Sequence, residues 1–215
     1  IPYTFNKINV REYFDDCVEE VGLDLESKNI ELSYFNSVEN DVLVIADAEQ
    51  LKRVINNIVG NSIKYMDKPK GYISIRVKDV GDFIQVEIED NGRGISTEDV
   101  ERIIGEKVYD SRVIGMKNAE DPEELKENKG SGFGLMNCKG IIEKYKKTND
   151  LFRVCAFNVE SELGKGSRFY FRLPLGIRKI VGVLLCLLLP FGVSSCLHDP
   201  IPPMLQEGDS IVVVT

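Results

Sequence analysis

The sequence predicts an α+β protein on three observations. A stretch of helical period follows Asp47, two stretches alternate apolar and polar residues between Ile73 and Ile88, and glycine clusters at Gly92–Gly94 and Gly130–Gly134 each adjoin one such element. The 215 residues, 43% hydrophobic and 29% charged, suffice for one or two cores. A net charge of -8 without a long basic patch argues against nucleic-acid binding. The five cysteines are scattered and show no metal-site spacing, so Cys17, Cys138 and Cys155 read as thiols of a reducing compartment.

In chain order, Val10 to Val21 has helical spacing, with Val10, Phe14, Cys17, Val18 and Val21 on one face. Ile30 to Phe35 and Val42 to Ile45 read as short strands. Asp47 is an N-cap with Gln50 three residues on, a capping-box pattern, and its helix runs to about Tyr65 before Asp67, Pro69 and Gly71 stop it. Ile73, Ile75 and Val77 face away from Ser74, Arg76 and Lys78; Ile84, Val86 and Ile88 repeat the pattern, giving a hairpin through Val80-Gly81-Asp82. Ser96, with Asp99 three residues on, caps a short helix. From Gly105 to Lys129 periodicity is lost and the chain turns acidic, as a lid or an ordinary surface loop would. Leu135 to Lys147 reads as a helix burying Leu135, Ile141, Ile142 and Tyr145. Phe152 to Val159 and the stretch through Phe169, Phe171 and Leu173 supply two more strands, with Gly164-Lys165-Gly166-Ser167 as the turn.

On the helix after Asp47, Leu51, Val54, Ile55, Ile58 and Ser62 form the apolar face, while Asn57, Asn61 and Lys64 form a separate stripe at i, i+4 and i+7. An amide oxygen suits a hard cation such as Mg²⁺, and an ammonium offsets phosphate charge. Equally, an Asn pair serves for local hydrogen bonds. Asp90 ends an alternating strand before Asn-Gly, as a turn-initiating Asp does; its other use is to accept from an exocyclic amine at the base of a pocket. Gly92 and Gly94 then let backbone approach a flat base, against which Tyr65 packs unless it is a core aromatic. Gly130, Gly132 and Gly134 open a helix, an arrangement that offers free N–H groups and the positive end of a dipole to phosphate.

These motifs resemble those of sensor histidine kinases. Asn57 to Tyr65 is similar to their N box, Asp90 to Ile95 and Gly130 to Leu135 to their first and second glycine boxes, and Glu162 to Pro174 to the closing glycine segment, so that the likeness spans Ile1 to Pro174. The kinases belong with gyrase, MutL and a heat-shock chaperone to the GHKL ATPases. The resemblance implies a two-layer α/β sandwich, a mixed β-sheet covered by helices on one face, with a flexible ATP lid. It also implies the cofactors ATP and Mg²⁺: Asn61 holds the metal with Asn57 beside it, Lys64 contacts phosphate, Tyr65 lies near adenine, and Asp90 accepts from the adenine amine. Gly92, Gly94 and Ile95 shape the base pocket. Gly130, Ser131, Gly132, Phe133, Gly134 and Leu135 close over the phosphates, and Ser167 supplies a hydroxyl near the base.

Where hydrolytic relatives carry a water-activating Glu, this sequence has Asn57, which cannot act as a general base; that favours phosphoryl transfer over fast hydrolysis. The implied partners are a His-containing dimerisation and phosphoacceptor domain, a response regulator and, in the full-length protein, a second copy of the chain. The alternatives are a nucleotide-dependent interaction module without transfer, and an anti-sigma-type serine kinase, whose members usually carry Glu at the Asn57 position. The only histidine, His198, lies far from the motifs, so an acceptor helix is expected upstream of Ile1, with Ile1 to Phe5 as its linker. Val108-Tyr109 loosely suggests a further box.

The expected organisation is a catalytic ATP-binding domain over 1–175, an apolar segment over 176–196 and a short tail over 197–215, the start of an extracytoplasmic region where the apolar segment is a membrane anchor. Arg178-Lys179, the apolar run from Ile180 to Val193 and Val193-Ser194-Ser195-Cys196 resemble a lipoprotein signal. A membrane anchor through 180–196, a join of two reading frames and a buried helix remain alternatives. The expected location is a cytoplasmic ATP-binding domain, membrane-associated in the full-length bacterial protein.

Overall fold

Alternation in the strands decides which way the sheet faces. The computed structural model describes residues 3–105, 133–147, 150–176 and 211–213, the last as backbone. The elements are β1 (Tyr3–Asn9), α1 (Val10–Ser27), β2 (Ile30–Asn36), β3 (Leu43–Ala46), α2 (Ala48–Lys64), β4 (Gly71–Asp79), β5 (Phe83–Asp90), α3 (Thr97–Ile104), α4 (Phe133–Lys144), β6 (Ala156–Glu162), β7 (Gly166–Pro174) and β8 (Ile211–Val213). Five strands form one sheet in the order β2-β4-β5-β7-β6. The β2–β4 pair is parallel and the other pairs are antiparallel, so the sheet is mixed. A parallel pair cannot be joined by a hairpin, and the crossover here carries α2.

Ile73, Ile75 and Val77 on β4 meet Ile84, Val86 and Ile88 on β5, and Phe169 and Phe171 on β7 continue the buried row. The helices cover that row. α1 buries Val10, Phe14, Val18, Val21 and Leu25, and α2 buries Leu51, Val54, Ile55, Ile58, Val59 and Ser62. Asp47 caps α2, its Oδ1 accepting from the Gln50 amide at 3.0 Å, while its Oδ2 accepts from the Thr4 amide at 2.8 Å. The cap therefore also ties α2 to β1.

The structure corrects the sequence in four places. Of the expected linker Ile1 to Phe5, Tyr3 to Phe5 belong instead to the strand Tyr3–Asn9, which pairs antiparallel with β3 and with β8. Tyr3 and Phe5 pack on Tyr145, which explains the pairing: the segment carries aromatic residues that need cover. The helix expected to Lys147 ends at Lys144 and tightens into a 3-10 turn over Tyr145–Lys147. Phe152 belongs to a second 3-10 turn, so β6 begins only at Ala156. The tight turn is Leu163 to Lys165, and Gly166 and Ser167 already belong to β7.

Cys17, Cys138 and Cys155 are buried free thiols, and burial pushes Cys138 and Cys155 up to about 12. Among the described residues no helix is long and apolar enough to cross a membrane. Residues 180–196, His198, Val108-Tyr109 and the acidic stretch to Lys129 lie outside the described residues.

The opposite face of the sheet is polar and centred on Glu87, which is 2% exposed. Its carboxylate accepts from Arg76 at 3.1 Å, Lys78 at 3.1 Å, Gln85 at 2.8 Å and Arg168 at 3.0 Å. Burial alone would raise this acid. Hydrogen bonds from Gln85 and Lys78 and the charge of Arg168 outweigh it and hold the group at about 2, below the ordinary 4.5. A depressed carboxyl contributes stability above pH 4.5 that is lost as pH falls toward 2. Glu87→Gln is expected to lower stability at neutral pH and to flatten this acid limb in denaturant titrations run across pH. An unchanged slope would show that the network contributes nothing.

Candidate functional site

The end of β5 places Asp90 opposite Ser167 of β7, and the residue is 8% exposed. Ser62 on α2 donates its hydroxyl to Asp90 Oδ2 at 2.7 Å, and the Gly92 amide donates to Oδ1 at 2.9 Å. Burial raises the acid above 3.8, and the bonds from Ser62, Gly92 and the Ser167 backbone only partly offset this. Each oxygen keeps acceptor capacity beyond these bonds, so the group is suited to receive one more N–H from a ligand.

Asp90 lies at a cavity of about 210 Å³. Asn61, Ser62 and Tyr65 line it from α2, and Arg93, Gly94 and Ile95 from the loop after β5. Asp99, Arg102 and Ile103 come from α3, Leu135 and Met136 from α4, and Ser167 and Phe169 from β7, with Leu163 from the preceding turn. The lining mixes one buried acid with aromatic and aliphatic surface, which fits a flat heteroaromatic ring carrying an amine.

The loop Asn91 to Ile95 is fixed from two sides. The Arg93 amide donates to the Tyr65 carbonyl at 3.1 Å, and the Gly164 amide in the β6–β7 turn donates to the Arg93 carbonyl at 2.7 Å. The Ile95 amide donates to Ser161 Oγ at 2.8 Å, and that hydroxyl lies 2.9 Å from Ser167 Oγ. Gly94 has φ +75, and a Cβ there would stand 2.1 Å from the Glu162 carbonyl oxygen. Only glycine admits this contact.

On α2, Asn61 donates its amide nitrogen to the Asn57 carbonyl at 2.8 Å, which leaves Oδ1 as the end of that amide not used within the helix. A Cβ at Gly134 would lie 3.6 Å from Asn61 and 3.7 Å from Asn57, so the first turn of α4 rests against both amides. The structure thus brings together Asn57, Asn61, Tyr65, Asp90, Gly92, Gly94, Ile95, Gly134, Leu135 and Ser167. Lys64 is exposed, with Nζ 5.0 Å from the Tyr65 ring, and does not line the cavity. Gly130, Ser131 and Gly132 lie outside the described residues, and Phe133 is described only as the first residue of α4.

Sequence reasoning passed over Ser62, which looked like one more position of an apolar face; a polar residue on such a face was the available signal. It also passed over Arg93, Ser161 and the α3 residues, whose relevance depends on contacts distant in sequence. Among the described residues no group of three His, Cys, Asp or Glu side chains could hold a metal. The donor set still fits Mg²⁺ arriving with a nucleotide, because that ion keeps phosphate and water ligands and needs only one or two from protein.

The family described as "Histidine kinase-, DNA gyrase B-, and HSP90-like ATPase" matches residues 46–177. Histidine protein kinase 1 of Candida albicans is 29% identical over 174 residues, covering 78% of this chain and 6% of its own length. Sensor histidine kinase YclK of Bacillus subtilis is 30% identical over 174 residues, covering 80% of this chain and 32% of its own. The chain therefore spans a third or less of the length of these curated relatives. In fold it matches the catalytic domain of histidine kinase ThkA, with TM-score 0.58 at 22% identity over 79% of this chain and 97% of that one. The match covers more than half of the chain and takes in both α2 and the loop after β5, and the chain belongs to the histidine kinase-, DNA gyrase B- and HSP90-like ATPase family.

Proposed function

We propose that this chain binds Mg-ATP and presents the γ-phosphate to a histidine on a helical dimerisation and phosphoacceptor domain outside it, for relay to a response regulator. The observation that carries this reading is Asp90, a buried acid held by Ser62 and Gly92 at a ring-sized cavity that also receives Asn61 and the start of α4. Asp90 accepts from the adenine amine, Ser167 adds a hydroxyl beside the base, and Gly92 and Gly94 keep the loop close. The amide oxygen of Asn61 is the protein ligand for Mg²⁺, which when bound neutralises phosphate charge. The N-terminal end of α4 carries the positive end of the helix dipole, which favours anionic oxygens nearby.

Asn57 neither takes nor gives a proton at neutral pH, so no side chain at its position activates water. The phosphoryl group is thereby kept for an external nucleophile, and positioning and electrostatics do the remaining work. Relatives named as histidine kinases support this assignment. The test uses the full-length protein and γ-labelled ATP. Acid-labile label on a histidine is expected, with slow phosphate release when the acceptor histidine is replaced. Rapid release of phosphate irrespective of the acceptor would overturn the transfer reading.

Asn61→Ala separates the metal from the base. Calorimetry is expected to show that the parent gains affinity for ATP on adding Mg²⁺, and that the variant keeps the metal-free affinity but loses most of the gain, about tenfold or more. An equal gain in both proteins would remove Asn61 as the ligand.

A further inference from the structure

Tyr65 and Arg93 form a stacked pair at the cavity. The Arg93 guanidinium carbon is 4.0 Å from the centroid of the Tyr65 ring, closer than Lys64 Nζ at 5.0 Å. Both residues line the cavity that holds Asp90. Backbone bonds fix this arrangement at both ends: the Arg93 amide donates to Tyr65 itself at 3.1 Å, and its carbonyl accepts from Gly164 at 2.7 Å. The side chain is exposed, yet its root cannot wander. A guanidinium lying at this distance over a phenol is a favourable cation–π contact, and its planar face can in turn cover a second flat ring.

We infer that Arg93 is a base-positioning residue: stacked on Tyr65, it holds that ring as a wall of the cavity and covers the edge of the base bound at Asp90. The inference rests on the nucleotide reading above and goes beyond it, because it assigns specificity to a side chain between two glycines whose own role is backbone approach. The pair acts on the base and not on the phosphates. Asn61 and the first turn of α4 are the groups reserved for the latter.

Its consequences are separable by ligand. Arg93→Ala is expected to weaken adenosine and ATP by the same factor, about three- to tenfold, with Mg²⁺ dependence unchanged and the melting temperature lowered by no more than about a few degrees. Arg93→Lys should recover only part of the loss, since an ammonium lacks the planar face. Tyr65→Leu should produce a similar loss, and adding Arg93→Ala to it should cost little more, as members of one unit do. Calorimetry on the full chain with adenosine, ATP and inorganic triphosphate distinguishes the outcomes. If Arg93→Ala weakens ATP but not adenosine, or leaves both unchanged while Asp90→Asn abolishes binding, the inference falls and the nucleotide reading stands. If the folded parent binds neither ligand, both fall.

Discussion

Asp90→Asn is expected to weaken ATP binding about 100-fold while leaving the protein as stable as the parent to within about 1 kcal/mol. The two effects separate because the acid is costly to the fold and useful to the ligand. Burial raises Asp90 above 3.8 even against the bonds from Ser62, Gly92 and Ser167. A raised carboxyl contributes stability that is present at low pH and is lost as pH rises through its folded value. The amide does not titrate, so the variant should lack that slope. Binding runs the other way: an ionised acceptor is needed for the adenine amine, and affinity in the parent should fall as pH is lowered through the raised value. In the variant one acceptor oxygen becomes an NH₂: Ser62 can turn its hydroxyl to accept from it, but the Gly92 N–H and the ligand amine are both donors and compete for the single oxygen that remains. Calorimetry with ATP, paired with thermal unfolding, reads both quantities. Full ATP affinity in a folded Asp90→Asn protein would remove the base pocket from this place.

Gly94→Ala is expected to cost about 3 kcal/mol or more in denaturant titrations and to abolish nucleotide binding. The backbone there has φ +75, and the added methyl would sit 2.1 Å from the Glu162 carbonyl oxygen and 3.1 Å from the Leu163 Cα, both backbone atoms that cannot rotate away. Relief requires the β6–β7 turn to leave the loop, breaking the Gly164–Arg93 bond of 2.7 Å and freeing Arg93 and Ile95 from the cavity. Gly81→Ala is the control. Its φ of +107 is equally unfavourable to alanine, but nothing lies within 4 Å of the added carbon, so only the backbone cost of about 1 kcal/mol should appear. Equal losses at the two positions would mean that the contact with Glu162 carries no weight.

What was legible in the sequence is what depends on neighbours along the chain. The cap at Asp47, the apolar face of α2, the hairpin through Gly81, the cap at Ser96 and the order of the glycine clusters are local patterns, and period, capping and turn chemistry act over a few residues. Those same patterns fixed Asn57, Asn61 and Asp90 as the residues to watch. The errors fell where tertiary contact overrides local preference. Tyr3–Asn9 became a strand because β3 offers it a ladder and Tyr145 offers its aromatic residues cover, and Phe152 turned out of β6 to join that cluster against Phe5.

The sequence alone singled out the candidate side chains Asn57, Asn61 and Asp90 and the glycines around them, since amide, carboxylate and glycine at set spacings are readable one residue at a time. Only the tertiary structure decided how they meet. It placed Ser62 under Asp90 across 28 positions, seated the Gly164 turn on Arg93, set Arg93 over Tyr65, and left Lys64 outside the cavity. These contacts are set by the packing of α2, the loop after β5 and the β6–β7 turn, and no periodicity within any one segment encodes the distance to another.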